Sequence, residues 1–153
     1  NEIIVAAKEC GQVMLQADRN NFGIKDKAGK ANFVTAYDCK IQEMLQIRLS
    51  QILPEAEFLG EEEDCRIDRN AEYIFVVDPI DGTTNFIKDY HMSCVSVGLI
   101  RNGKRYLGVV HNPYLDETFS AISGEGAYMN GNATHVSKDN QIMEMVFCYQ
   151  HLY

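Results

Sequence analysis

The chain has 153 residues, 46% of them hydrophobic and 24% charged, proportions ordinary for one globular domain with a substantial core. Its 22 acidic and 14 basic side chains leave a formal charge of −8, which argues against direct nucleic-acid binding. Five cysteines, Cys10, Cys39, Cys65, Cys94 and Cys148, are scattered with no Cys-x-x-Cys pair, so a reducing, cytoplasmic setting is expected. No stretch approaches the roughly 20 apolar residues of a membrane span. The first residues lack a signal-peptide pattern, and no membrane partner is expected.

The first expected element is a helix from Glu2 to Arg19, with Ile3, Val5, Ala6, Cys10, Val13, Met14 and Ala17 forming a stripe. A strand is expected near Phe22 to Lys25. A second helix runs from about Tyr37 to Leu53 and stops before Pro54, with Ile41, Met44, Leu45 and Leu49 along one side and the Arg48 stem laid on the surface. On its own, Asp38 reads as that helix's N-cap. Further strands are expected over Phe58 to Gly60, Tyr73 to Val77, Ser93 to Arg101, Tyr106 to His111 and Thr118 to Ile122, with a last one over Met143 to Tyr149. Asn102-Gly103 is a strong hairpin signal, and a further turn lies at Asn130-Gly131. Helices followed by a meander give an α+β fold, two helices packed on a mostly antiparallel sheet, in one domain over residues 1–153.

The segment with most chemistry is Asp78-Pro79-Ile80-Asp81-Gly82-Thr83-Thr84-Asn85-Phe86, directly after the apolar run Tyr73-Ile74-Phe75-Val76-Val77. Two carboxylates thus stand at the mouth of a buried strand. Pro79 keeps Asp78 extended and fixes its own φ, and Gly82 can adopt a backbone conformation closed to other residues. A helix starting at Gly82 or Thr83 would aim free N–H groups at the same spot, suited to an anionic oxygen. Asp-Pro and Asp-Gly are also ordinary turn dipeptides, and the aspartate could be only an N-cap. A second acidic cluster, Gly60-Glu61-Glu62-Glu63-Asp64, decides against that plain reading, because it also follows an apolar stretch, Phe58-Leu59. Gly60 is expected to let the backbone turn sharply, so that a carboxylate reaches the neighbouring strand's mouth. Hard oxygen donors of this kind suit Mg²⁺ or Mn²⁺. The four histidines, His91, His111, His135 and His151, have no metal-ligand spacing.

Gly60-Glu61-Glu62 and the Asp78 to Phe86 motif, together with Asn32-Phe33-Val34-Thr35-Ala36-Tyr37-Asp38 and Lys27 ahead of it, resemble the inositol monophosphatase family of lithium-sensitive, magnesium-dependent phosphatases. The resemblance covers that family's N-terminal half, the C-terminal half being absent. It implies an α-β-α-β-α layered sandwich, of which this chain supplies the first helix pair and the larger sheet. It further implies a homodimer, a small phosphorylated substrate, Mg²⁺ or Mn²⁺ as cofactor, and inhibition by Li⁺.

By the same resemblance, Glu62 is a metal ligand that orients the attacking water, Asp78 bridges two metals, the Ile80 carbonyl completes one coordination sphere and Asp81 binds the second metal. Thr83 hydrogen-bonds the water with Asp38 behind it, and the N–H groups of Gly82 and Thr83 meet the phosphate. The family's later Trp-Asp element has no counterpart, since the chain contains no tryptophan. After Phe86 the order Ile87-Lys88-Asp89-Tyr90-His91-Met92 departs from the family's usual His and Pro. The expected activity is hydrolysis of inositol monophosphate, with weak turnover by the 153-residue chain alone and a bare apolar sheet face. Other expected options are histidinol phosphate, fructose bisphosphate or an adenosine bisphosphate as substrate, or a non-catalytic regulatory, protein-binding role.

Overall fold

The computed structural model describes residues 1–18, 21–23, 25–26, 33–62 and 67–138. The expected strand over Met143 to Tyr149, Lys27, and Glu63 and Asp64 of the acidic cluster lie outside the described residues.

Helix α1 (Glu2–Leu15) buries Ile3, Ala6, Ala7, Cys10, Gly11 and Met14, the 3.6-residue stripe read from the sequence. It stops four residues short of Arg19. The Ala17 N–H reaches back only to the Met14 carbonyl, a tightened last turn, and the Asp18 N–H is taken by the Tyr37 hydroxyl at 2.7 Å. A two-residue ribbon follows, β1 (Lys25–Asp26) paired antiparallel with β2 (Phe33–Val34).

Helix α2 (Ala36–Ile52) starts with a capping box. The Thr35 side chain accepts from the Tyr37 and Asp38 N–H groups, while Asp38 Oδ2 accepts from the Thr35 N–H at 2.7 Å. Asp38 is therefore the third helical residue and Thr35 the cap, a correction to the N-cap reading of Asp38. The buried face of α2 is Asp38, Ile41, Gln42, Leu45 and Leu49. Its apolar half packs in the core, whereas Asp38 and Gln42, one turn apart, carry polar groups into the interior. Arg48 grips Glu9 of α1 through Nε and a terminal nitrogen at 3.0 and 3.2 Å, so its head is anchored as well as its stem.

The main sheet runs β3 (Glu57–Gly60), β4 (Tyr73–Asp81), β5 (Cys94–Arg101), β6 (Lys104–Asn112), β7 (Glu117–Ile122), β8 (Gly126–Met129) and β9 (Asn132–Thr134), adjacent in that order. β3 pairs parallel with β4, and every later pair is antiparallel. The Asn102-Gly103 and Asn130-Gly131 turns have positive φ at both residues, as two-residue hairpins require. Phe75, Val77, Val95, Val97, Leu99 and Val109 face the two helices and form the core. The opposite face bears the exposed side chains of Val76, Val110, Phe119 and Met129.

Helix α3 (Thr83–Ile87) begins at Gly82, whose φ of 86° is left-handed. Fully buried Phe86 ties it to Tyr37 of α2 and to Phe22, which lies between α1 and α2, through edge-on contacts: Phe22 to Phe86 at 5.2 Å, Tyr37 to Phe86 at 6.0 Å and Phe22 to Tyr37 at 6.1 Å between ring centroids. Each such pair contributes on the order of 1 kcal/mol beyond its buried area. This aromatic trio brings the start of α3 against the start of α2.

Candidate metal centre

Strand β4 continues past Val77 through the motif to Asp81. Its ladder with β5 is regular to Asp78, opposite Ser96, and then shifts register before resuming at Asp81, opposite Cys94. Pro79, which has no N–H to give the ladder, lies in that irregularity. The Ile80 side chain is only 1% exposed, whereas its carbonyl accepts from Thr83 Oγ1 at 3.0 Å. One residue thus serves the core with its side chain and the loop with its backbone.

Parallel pairing decides which glutamate meets Asp78. Gly60 is opposite Val77, and the Glu61 N–H donates to the Val77 carbonyl at 3.1 Å, so Glu61 leaves β3 level with Asp78. The Glu61 carboxyl shares a hydrogen bond with the Asp78 carboxyl. Glu62 lies one residue farther on, with its N–H donated to Gln42 Oε1 of α2 at 3.0 Å. The family resemblance assigns the ligand role to Glu62. The geometry brings Glu61 to Asp78.

Gly60 also differs from expectation. Its φ is not among the positive values, so it supplies no left-handed turn; instead, a Cβ at this position would collide with the Gln42 side chain.

The electrostatics follow from crowding. Asp78 is half-buried, and burial, then Glu61, Asp81 and Asp38, push its carboxyl up to about 8. Such a position is costly for an anion unless positive charge arrives. Fully buried Asp38 is also raised, first by burial, against the lowering effect of hydrogen bonds from Thr35 and Thr83. Thr83 Oγ1 stands 3.1 Å from Asp38 Oδ1 and 3.0 Å from the Ile80 oxygen, and its single proton can serve only one of them at a time. A bond to an ionised carboxylate is the stronger choice. Thr83 then has lone pairs free to accept from a water.

Beside Asp81, the Cys94 thiol lies 3.9 Å from Oδ2 and is pushed up to about 12, by burial first and then by Asp81 and Asp78. It stays protonated, and the donor set remains one of hard oxygens. Among the described residues, no three His, Cys, Asp or Glu side chains already form a chelating group. The set that fits a small divalent cation is mixed, three carboxylates and a backbone carbonyl: Glu61, Asp78, Asp81 and the Ile80 oxygen. Gly82 is held in place by its neighbours, since a Cβ there would approach the Met92 carbonyl at 3.0 Å and Asn85 Nδ2 already donates to that oxygen at 2.9 Å.

A sequence profile described as the inositol monophosphatase family matches residues 2–152. This chain belongs to that family. It is 37% identical over 145 residues to inositol monophosphatase 2 of Solanum lycopersicum, covering 92% of this chain and 54% of the relative. Against inositol monophosphatase 2 of Saccharomyces cerevisiae it is 40% identical over 134 residues, covering 86% and 46%. The chain therefore spans about half the length of these curated relatives. A crystal structure of the extragenic suppressor protein suhB from Bartonella henselae superposes with a TM-score of 0.83 at 34% identity, covering 90% of this chain and 54% of that one. Similar solved structures also include an IMPase/NADP phosphatase with Mg²⁺ and phosphate, at TM-score 0.74 and 29% identity over 82% of this chain and 48% of that one. A staphylococcal inositol monophosphatase soaked in LiCl gives 0.75 and 27% over 86% and 48%. The fold of two helices on a mostly antiparallel seven-stranded sheet is shared with these structures.

Proposed function

We propose that the chain forms the cation-binding part of a Mg²⁺-dependent phosphatase of small phosphate monoesters, with inositol monophosphate the favoured substrate. The observation that carries this is Asp78, a half-buried carboxyl crowded by Glu61, Asp81 and Asp38 at a strand mouth beside the start of α3. Glu61, in the role first given to Glu62, would hold the cation with Asp78, the Ile80 carbonyl and Asp81, and Mn²⁺ would substitute for Mg²⁺. Homology to relatives named inositol monophosphatases supports the substrate class, and the Mg²⁺ and phosphate in one similar structure support the cofactor.

When bound, a divalent cation lowers the pKa of its water and neutralises phosphate oxygens. The chain's own groups do the rest. Asp78 sheds its proton to become a ligand. Asp38 holds the Thr83 proton, so Thr83 Oγ1 accepts from the attacking water and aligns it. The N–H groups of Gly82 and Thr83 face the phosphate, whose ester bond breaks on the side opposite the incoming water. Chemistry of this kind needs no side-chain nucleophile.

The reading includes a homodimer in the cytoplasm. Free Cys10, Cys39 and Cys94 support a reducing compartment. The test is hydrolysis of inositol monophosphate, histidinol phosphate, fructose bisphosphate, adenosine bisphosphate and NADP, with and without Mg²⁺. Mg²⁺-dependent release of phosphate, fastest from inositol monophosphate and slow for this chain alone, is expected. Phosphate release that is indifferent to Mg²⁺ would refute the cation chemistry. A faster rate on another ester would move the substrate, and no release from any would favour a non-catalytic role.

A further inference from the structure

We infer that Gln42 is a positioning residue for the acidic centre, its side-chain amide fixing the Gly60-Glu61-Glu62 turn so that the Glu61 carboxyl meets Asp78; this rests on reading that centre as a divalent-cation site. Gln42 is only 4% exposed, an uncommon place for a glutamine unless its amide has a task. Its orientation is determined, because a backbone N–H can only be accepted, so Oε1 takes the Glu62 N–H at 3.0 Å. The amide also lies over the Gly60 Cα, in the volume a Cβ would fill. Two neighbours on either side of Glu61 are therefore held by one side chain, Gly60 by close contact and Glu62 by a hydrogen bond.

The arrangement on α2 gives this grip a direction. Asp38 and Gln42 are four residues apart on the buried face, so their side chains project one above the other. Asp38 receives Thr83 at the start of α3, and Gln42 receives Glu62 just past the end of β3. Both acidic loops are thereby referred to one rigid helix, itself fixed by the Thr35–Asp38 capping box. Without the Gln42 acceptor, parallel pairing still brings Glu61 as far as Val77, but the Glu62 N–H loses the bond that ties it to α2. Glu61 would then have to be ordered when the cation binds, and affinity falls by that cost.

The experiment is a calorimetric Mn²⁺ titration of the chain at pH 8, with Asp78→Asn as blank and with thermal midpoints in EDTA for every variant. Gln42→Met keeps the length and removes the acceptor; Gln42→Glu restores an acceptor oxygen. Roughly five-fold weaker Mn²⁺ binding in Gln42→Met, the scale of one backbone-to-amide hydrogen bond, with recovery in Gln42→Glu, is expected. Unchanged Mn²⁺ affinity in Gln42→Met, even with a lowered midpoint, would overturn the inference and leave Gln42 a packing residue. Equal weakening in Gln42→Glu would overturn it too. Should Gln42→Met fail to fold, Gly60→Ala tests the same point by displacing the amide, and wild-type affinity there would contradict it. Absence of Mn²⁺ binding by the unsubstituted chain, or binding that survives Asp78→Asn, would instead refute the cation-site reading itself.

Discussion

Replacing Asp78 by asparagine should make the metal-free protein more stable while removing most phosphatase activity. In the folded chain this carboxyl is pushed from an ordinary 3.8 up to about 8, chiefly by burial and by Glu61. At about 1.4 kcal/mol per pKa unit the full displacement would correspond to roughly 6 kcal/mol. Solvent reaches the half-buried group and screens it, so about 2 kcal/mol is the more realistic scale. The sign follows from proton uptake. Between pH 4 and 8 the folded form holds a proton that the unfolded form has lost, so stability declines as pH rises through that window and is lowest above about 8. An asparagine has no proton to lose, and its amide can still donate to Glu61. In EDTA at pH 8.5, Asp78→Asn should therefore melt roughly 4 to 8 °C above wild type, and the gap should close towards pH 4. Added Mg²⁺ should raise the wild-type midpoint and leave the variant nearly unmoved. A variant that melts lower than wild type at pH 8.5, or a gap independent of pH, would refute the crowding argument.

Other expectations follow from the same geometry. Li⁺ should inhibit phosphate release by competing at the position Asp81 helps to form, with deeper inhibition at high substrate; an activity flat in lithium would contradict that assignment. Thr83→Val, which removes the hydroxyl between Asp38 and the water, should lower kcat by about 10²-fold, the lower end of losses for a positioned proton-handling group, with Mn²⁺ affinity little changed. If instead Mn²⁺ binding collapses while turnover at saturating metal survives, Thr83 acts on the metal and not on the water. Buried His111, with Nδ1 2.9 Å from Thr118 Oγ1, is held below its ordinary 6.5 by burial first and then by Lys8. Below about pH 6.5 the unfolded chain therefore takes up more protons, and stability should drop as pH falls, opposite in direction to the Asp78 effect. His111→Asn should flatten that acid limb in thermal melts; an unaltered slope would remove His111 as its cause.

What could be read from the residues was what local chemistry governs. Asn102-Gly103 and Asn130-Gly131 form the turns their positive φ preferences demand, and Pro79 marks the break in the β4 ladder. Asp78 and Asp81 stand out in the residues because they follow an apolar strand, whereas Thr83 and Asp38 enter only through the family resemblance. The choice between Glu61 and Glu62 could not be read there, because it depends on the parallel register of β3 against β4, a long-range pairing that side-chain pattern leaves open. The Thr35-x-x-Asp38 capping box was visible as spacing and could have corrected the N-cap reading of Asp38. Gln42 carried no such signal, since a lone glutamine among apolar helix positions resembles any surface residue until Gly60 is placed against it. The short strands β8 and β9 have wholly exposed residues, and so lack the alternation that reveals a strand.

The central claim is that Glu61, Asp78, the Ile80 carbonyl and Asp81 form a divalent-cation site, and anomalous diffraction from Mn²⁺-soaked crystals tests it most directly. The account predicts manganese peaks at the end of β4, with Glu61, Asp78 and the Ile80 oxygen around one ion and Asp81 on a second. No peak at that strand end, or manganese held by Glu62 with Glu61 turned away, would contradict it.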